Sequence, residues 1–260
     1  MLLASSHPKV FHRFVLTTWV LFGLLPAAAQ NLTRSHPATS IRRTGPVELG
    51  ADACFHKLVT NAQVRAFEVE IAPHQSTELN HHGHDYLIIA LGDNDIAASG
   101  PGNEFSMGMQ FGEMQVLKGG WPHRIANKAD RPAHFLELEI MQDIAPERAI
   151  CGLGASTCTD GKFGKTDEGS YSRSTLFDTE RAKLSRIDLG PAGWLPQHGH
   201  KGGQVLIGLS ELQLEDSVVG GRTEQVQLKP GAVQFYEGNI VHEFKNLAKQ
   251  PAKFLELELK

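Results

Sequence analysis

Histidine is abundant in this chain, 13 residues in 260, and several stand at spacings suited to gripping a cation. His198-Gly199-His200 sets two imidazoles two residues apart. Alternate residues of an extended strand face the same side, so both rings can enter one cavity. Gln204 follows four residues after His200, and beyond a glycine-bearing turn come Gly238, His242 and Asn246. Three imidazoles from two separate strands form a facial set for a first-row divalent ion, with positions left open for water or substrate. A neutral amide such as Gln204 serves there as a weak oxygen ligand or as a hydrogen-bonding partner.

The elements that position these residues occur twice. Phe135-Leu-Glu-Leu-Glu-Ile140 recurs as Phe254-Leu-Glu-Leu-Glu-Leu259, an offset of 119. Val69-Glu70-Ile71-Ala72-Pro73 matches Ile187-Asp188-Leu189-Gly190-Pro191, and Leu87 to Leu91 matches Val205 to Leu209, both at an offset of 118. A near-constant offset sustained over this length means two copies of one domain. The runs Ala66–Ile71, Tyr86–Leu91 and Gln225–Leu228 and the two Phe-Leu-Glu-Leu-Glu segments are short, and Gly, Pro, Asn or Asp separates them. Several alternate in period two, so each copy reads as β, closed into a sandwich or barrel.

In the first copy His82 stands where His200 does, His123 where His242 does, and Asn127 where Asn246 does. Asn80 replaces His198 and Tyr86 replaces Gln204. His82 with His123 is the favoured pair there. A shifted register using His81 and Asp85, with His84 in the same loop, is the alternative. The second copy has the more complete ligand set and is expected to dominate.

These residues resemble the two motifs of the cupin family, G-x5-H-x-H-x3-4-E-x6-G and G-x5-P-x-G-x2-H-x3-N. His198, His200 and Gln204 match the ligands of the first motif; His242 and Asn246 match the His and Asn of the second. The resemblance covers both repeats and implies an all-β protein of two tandem jelly-roll barrels, a bicupin, with a metal near one mouth of the barrel. Gln204 stands where the family has Glu, and the motif-two Pro is missing beside Gly238. The expected domains are 51–140 and 175–260, with a Gly-, Ser- and Thr-rich connector at 141–174.

The resemblance implies a divalent ion (Fe, Mn, Ni or Zn) and a small-molecule substrate or ligand. A three-histidine site without a carboxylate suits dioxygenase-type chemistry, and the same site serves isomerases and lyases. A non-catalytic binder of a small ligand or of metal is the rival reading. An oligomerisation role for the first barrel is compatible with either. Glu137, Glu139, Glu256 and Glu258 read as a solvated outer face; turned inward they would be acid/base candidates. Trp121 and Trp194 border the expected mouths, where packing is the default role.

Residues 1–29 carry a basic start, an apolar run from Phe14 to Leu25 and Ala27-Ala28-Ala29. They predict a cleaved signal peptide and a secreted or periplasmic product. The run, about 12 residues, falls short of the ~20 a membrane helix needs. Residues 30–50 read as a loose leader. Export permits one disulfide among Cys54, Cys151 and Cys158. A net charge of −4 gives no reason to expect a nucleic-acid partner.

Overall fold

In the computed structural model the described residues are 45–141, 166–167, 171–179 and 181–260. The signal peptide, most of the leader, Cys151 and Cys158 lie outside them. Cys54 forms no disulfide among the described residues.

Nine strands build the first half: β1 (Phe55–Thr60), β2 (Val64–Ile71), β3 (Asn80–His81), β4 (Tyr86–Ala90), β5 (Asn94–Gly100), β6 (Asn103–Met109), β7 (Met114–Leu117), β8 (Pro122–Asn127) and β9 (Ala133–Ile140). A short pair, β10 (Thr166–Asp167), precedes nine more: β11 (Tyr171–Asp178), β12 (Ala182–Leu189), β13 (Trp194–His200), β14 (Gln204–Gly208), β15 (Leu212–Val218), β16 (Thr223–Leu228), β17 (Val233–Tyr236), β18 (Ile240–Asn246) and β19 (Ala252–Leu259). The second unit's first long strand thus starts at Tyr171, inside the stretch that reads as connector. It lacks clean alternation because four of its residues are half-buried in succession.

Apart from the added edge strand β10, the duplication holds at the level of topology. One sheet of the first half runs β1-β2-β9-β4-β7, and its counterpart runs β10-β11-β12-β19-β14-β17. The facing sheets run β3-β8-β5-β6 and β13-β18-β15-β16. The strands in these ladders pair antiparallel, for example β2 with β9 and β12 with β19. Each half is therefore a jelly roll, two sheets face to face over an interior. Even a left-handed turn residue repeats: His74 (φ 58°) and Ala192 (φ 55°) both follow the proline of the repeated segment.

Three apolar clusters follow. Phe67, Val69, Ile88, Ile96, Ile125 and Phe135 fill the first barrel; Ile187, Leu206, Leu214, Phe244 and Phe254 fill the second. The third cluster draws on both halves: Leu136, Leu138 and Ile140 of β9 join Leu255, Leu257 and Leu259 of β19. The large sheets are thus buried on both faces, and the leucine rows of the two glutamate-leucine strands meet between the barrels. Burying one such leucine contributes about 1.5–3 kcal/mol.

That seam corrects one expectation. With the leucines turned toward the neighbouring barrel, period two sends the glutamates into the barrel interiors. Glu137, Glu139 and Glu256 are fully buried, and only Glu258 keeps partial exposure. They form no solvated outer face.

Candidate metal centre

His198 and His200 lie on β13 and His242 on β18, and His198 pairs with His242 directly across the ladder. Their ring centroids are 4.8–5.3 Å apart. Glu256 enters from the opposite sheet. One ligand atom from each of these four residues lies within 4.8 Å of every other. Donors at ~2.1 Å from a shared ion stand about 3–4 Å apart, so modest closure brings all four into contact with one cation.

The far nitrogens show how the rings are aimed. His198 Nδ1 is 2.8 Å from the Pro196 carbonyl, which can only accept, so that nitrogen carries the hydrogen. His242 Nδ1 is 2.9 Å from Asp216 Oδ1. His200 Nδ1 faces Glu258 Oε1 at 3.9 Å. The acceptors behind His198 and His242 fix those tautomers and leave Nε2 as the lone-pair donor, whereas His200 Nδ1 makes no hydrogen bond among the described residues. The three Nε2 atoms converge: His198 and His200 reach Glu256 Oε1 at 3.1 and 3.2 Å, and His242 Nε2 is buried without a hydrogen-bond partner among the described residues. Four convergent donors, with the Nε2 atoms of both His200 and His242 lacking a well-formed hydrogen bond among the described residues, fit a divalent ion.

Glu256 is anchored from its other side. Arg173 Nη2 donates to Oε2 at 2.8 Å, and Gln204 Nε2 donates to Oε1 at 2.6 Å. Burial alone would raise this carboxyl group, but hydrogen bonds from His198 and His200 and the Arg173 charge outweigh it and hold Glu256 well below the ordinary range. Burial likewise pulls His198 down, and the Glu256 hydrogen bond and charge reverse that, so its net shift is upward. In the metal-free chain His198 and Glu256 thus favour each other's charged forms, and a bound cation would take over the role of the imidazole charge.

A close approach keeps the two histidine loops together. Gly238 runs so near the Lys201 and Gly202 backbone that no Cβ fits between them. Asn246 is no ligand: its amide donates to the Gly190 and Gln250 carbonyls and pins the following turn.

The first barrel is different. Tyr86 OH meets His123 Nε2 at 3.0 Å while His123 Nδ1 lies 3.2 Å from the Trp121 carbonyl, so both nitrogens of that ring are occupied. Tyr86 also stacks on His82, with centroids 3.7 Å apart. His82 Nε2 lies 2.9 Å from Glu137 Oε2, but neither atom has a hydrogen-bond partner of good geometry. His81 sits at an exposed strand position. Asp85 turns to Lys118 Nζ (2.9 Å) and the Gly119 amide (3.1 Å). His84 offers its backbone N–H to Glu139. The shifted set of His81, His84 and Asp85 is therefore not brought together. Trp121 packs on His123 and Phe105, whereas Trp194 is 45% exposed.

No family model matches the sequence. Beta-alanine degradation protein BauB of Pseudomonas aeruginosa is 30% identical over 82 residues, 32% of this chain and 86% of that relative. The oxalate decarboxylase of Lactobacillus farciminis, solved as a formate complex, superposes with TM-score 0.58 at 12% identity, covering 78% of this chain and 83% of that one. A cupin 2 conserved barrel domain protein from Leptotrichia buccalis gives TM-score 0.51 at 13% identity, covering 79% and 88%. The chain belongs to the cupin superfamily.

Within this bicupin the fourth donor is the residue that sequence reasoning missed. Gln204, which stands where the family motif has Glu, reads from the sequence either as a weak oxygen ligand or as a hydrogen-bonding partner. The structure places Gln204 in the second of these roles, donating to Glu256, a carboxylate contributed by the last strand. Equal spacing of Leu and Glu gave no way to tell which row faces the barrel lumen. Arg173 and Asp216, which anchor Glu256 and orient His242, sit on strands remote from both cupin motifs.

Proposed function

We propose that this bicupin is an exported, metal-dependent enzyme that acts on a small organic substrate in its second barrel, with dioxygenase-type chemistry as the leading class. The carrying observation is the convergence of three imidazole Nε2 atoms on the buried Glu256 carboxylate. His198, His200, His242 and Glu256 would hold the ion. A first-row ion there, Fe, Mn, Ni or Zn, supplies Lewis acidity and, for iron or manganese, redox chemistry.

The chain's own groups prepare the site. Three neutral imidazoles and one carboxylate leave a dication with net positive charge, which favours an anionic or electron-rich substrate. The histidine hydrogen bonds, and after them the Arg173 charge, hold the Glu256 carboxyl well below its ordinary range, and Arg173 anchors Oε2 so that Oε1 faces the histidines. Gln204 holds the same oxygen through its amide N–H, and its own Oε1 stays unpartnered. Tyr236 OH is another buried, unpartnered group, whose ring lies 5.8 Å from that of His242. Both can hydrogen-bond a substrate or its water. Phe244 packs against the His242 ring at 4.6 Å and excludes solvent from that side.

The relatives support a small substrate: one fold neighbour was solved with formate, and the sequence relative is named for degradation of β-alanine. The N-terminal 29 residues support export.

The test uses untagged protein reconstituted separately with each of the four metals. It is screened with pooled small acids, diketones, phenols and sugars while O2 uptake and product mass are followed. Metal-dependent O2 consumption with a new product is the expected result. Product without O2 uptake moves the chain to the isomerase or lyase class. Ligand recovered unchanged under every metal makes it a binding module and ends the enzymatic reading.

A further inference from the structure

The two barrels handle one inward-facing corner in opposite ways. In the first, Phe55 pairs with Val69 across β1 and β2. Phe55 and Phe67 then meet edge to face, with centroids 5.9 Å apart at 76°. In the second, Arg173 pairs with Ile187 across β11 and β12. Ile187 is the repeat counterpart of Val69, and Ser185 that of Phe67. An arginine and a serine thus replace two phenylalanines at matching ladder positions.

The fold does not need this polarity, since the first barrel closes the corner with apolar rings. Nor do other described residues satisfy it. Ser185 is fully buried and its Oγ has no hydrogen-bond partner among the described residues; the same holds for the buried Arg173 Nε. A buried donor left unpaired carries a desolvation cost. Both groups adjoin the candidate metal centre: Ser185 lies opposite Glu256 in the β12–β19 ladder, and Arg173 Nη2 already holds Glu256 Oε2.

We propose that Arg173 and Ser185 form a recess that receives the carboxylate of a small organic acid beside the metal ligands. This rests on the second barrel being the substrate site. Nη2 is engaged with Glu256, while Nε–H is a buried guanidinium donor that no described residue uses. The serine O–H supplies a second. Two donors, one cationic, select an anion able to accept at two oxygens. The acid would be anchored there while its other end approaches the ion, so binding and reaction occupy different atoms of one small molecule.

The test is isothermal titration of manganese-loaded and metal-free full-length protein with acetate, acetamide and inorganic phosphate, alongside metal analysis. Wild type should bind acetate at least tenfold more tightly than acetamide, and more tightly than phosphate. Ser185→Ala should weaken acetate about tenfold, the scale of one hydrogen bond to a charged group, with metal content unchanged. Ser185→Phe, which installs the first barrel's residue, should abolish acetate binding while metal is retained. Equal acetate affinity in wild type and Ser185→Ala overturns the recess. So does acetamide or phosphate matching acetate. A wild type that takes up no metal counts against the proposed enzymatic function instead, and the metal-free titrations still decide the recess.

Discussion

In the second barrel Glu256 is met by His198 and His200 and held by an amide and a guanidinium. In the first, the matching Glu137 faces His82 alone, and Tyr86 takes the place of the amide. The strand orders match apart from the edge strand β10, so the difference at the site lies in a few inward side chains: Asn80 for His198, Tyr86 for Gln204, Phe55 for Arg173. A jelly roll tolerates either set because its stability comes from the apolar rows around them. Polar groups inside a barrel therefore report chemistry more directly than they report fold.

The sharpest break of this contrast is ligand removal. His242→Ala should eliminate stoichiometric metal, while His123→Ala leaves it intact; metal analysis of untagged protein gives the answer, and the reverse pattern would put the working centre in the first barrel. Next in size is the seam. Leu257→Ala and Leu138→Ala should each cost about 2–5 kcal/mol in denaturant unfolding, by similar amounts, since both side chains line the cluster shared by the barrels. A cost confined to one of them would mean the barrels are stabilised independently.

A smaller effect tests the tyrosine. Tyr86→Gln removes the hydroxyl that occupies His123 Nε2 and installs the second barrel's residue. It should raise metal content above the wild-type value, with weak affinity because Asn80 still stands in for a histidine. Unchanged content would show that the tyrosine is not what closes the first site.

The smallest effect is in titration of the metal-free chain. Burial lowers His123, and the Glu137 charge does not overcome it. Burial lowers His198 too, but Glu256 reverses the sign. His198, raised above 6.5, adds stability that is complete below pH 6.5 and fades as pH climbs through its folded value. His123, lowered from 6.5, subtracts stability as pH falls below 6.5. Imidazole NMR should show His198 titrating at higher pH than His123; coincident midpoints would erase the electrostatic part of the contrast.

Much of this was legible beforehand. The repeat, its β character and the triad of His198, His200 and His242 follow from offsets and strand periodicity, which are local properties of the chain. The fourth donor is not local. Leu255 and Glu256 alternate in the same way whether the lumen takes the leucine or the glutamate, and only a second barrel against the leucine row decides. Asp216 and Arg173 acquire their meaning from partners 26 and 83 residues away. Tyr86 was visible as a departure from Gln204, but that its hydroxyl reaches His123 depends on the packing of β4 beneath β8.

The ribbon β19 has a further consequence. Its odd-numbered leucines grip the neighbouring barrel, and its even-numbered Glu256 grips the site, one peptide unit apart. The half with the sparser ligand set is accordingly a clamp on the other. Cut away, it would bare a greasy strip along the very strand that positions the carboxylate, and the surviving half would be left sticky and poorly aligned. A copy that holds asparagine, tyrosine and phenylalanine where its twin holds histidine, glutamine and arginine thus serves as the backing plate of that twin.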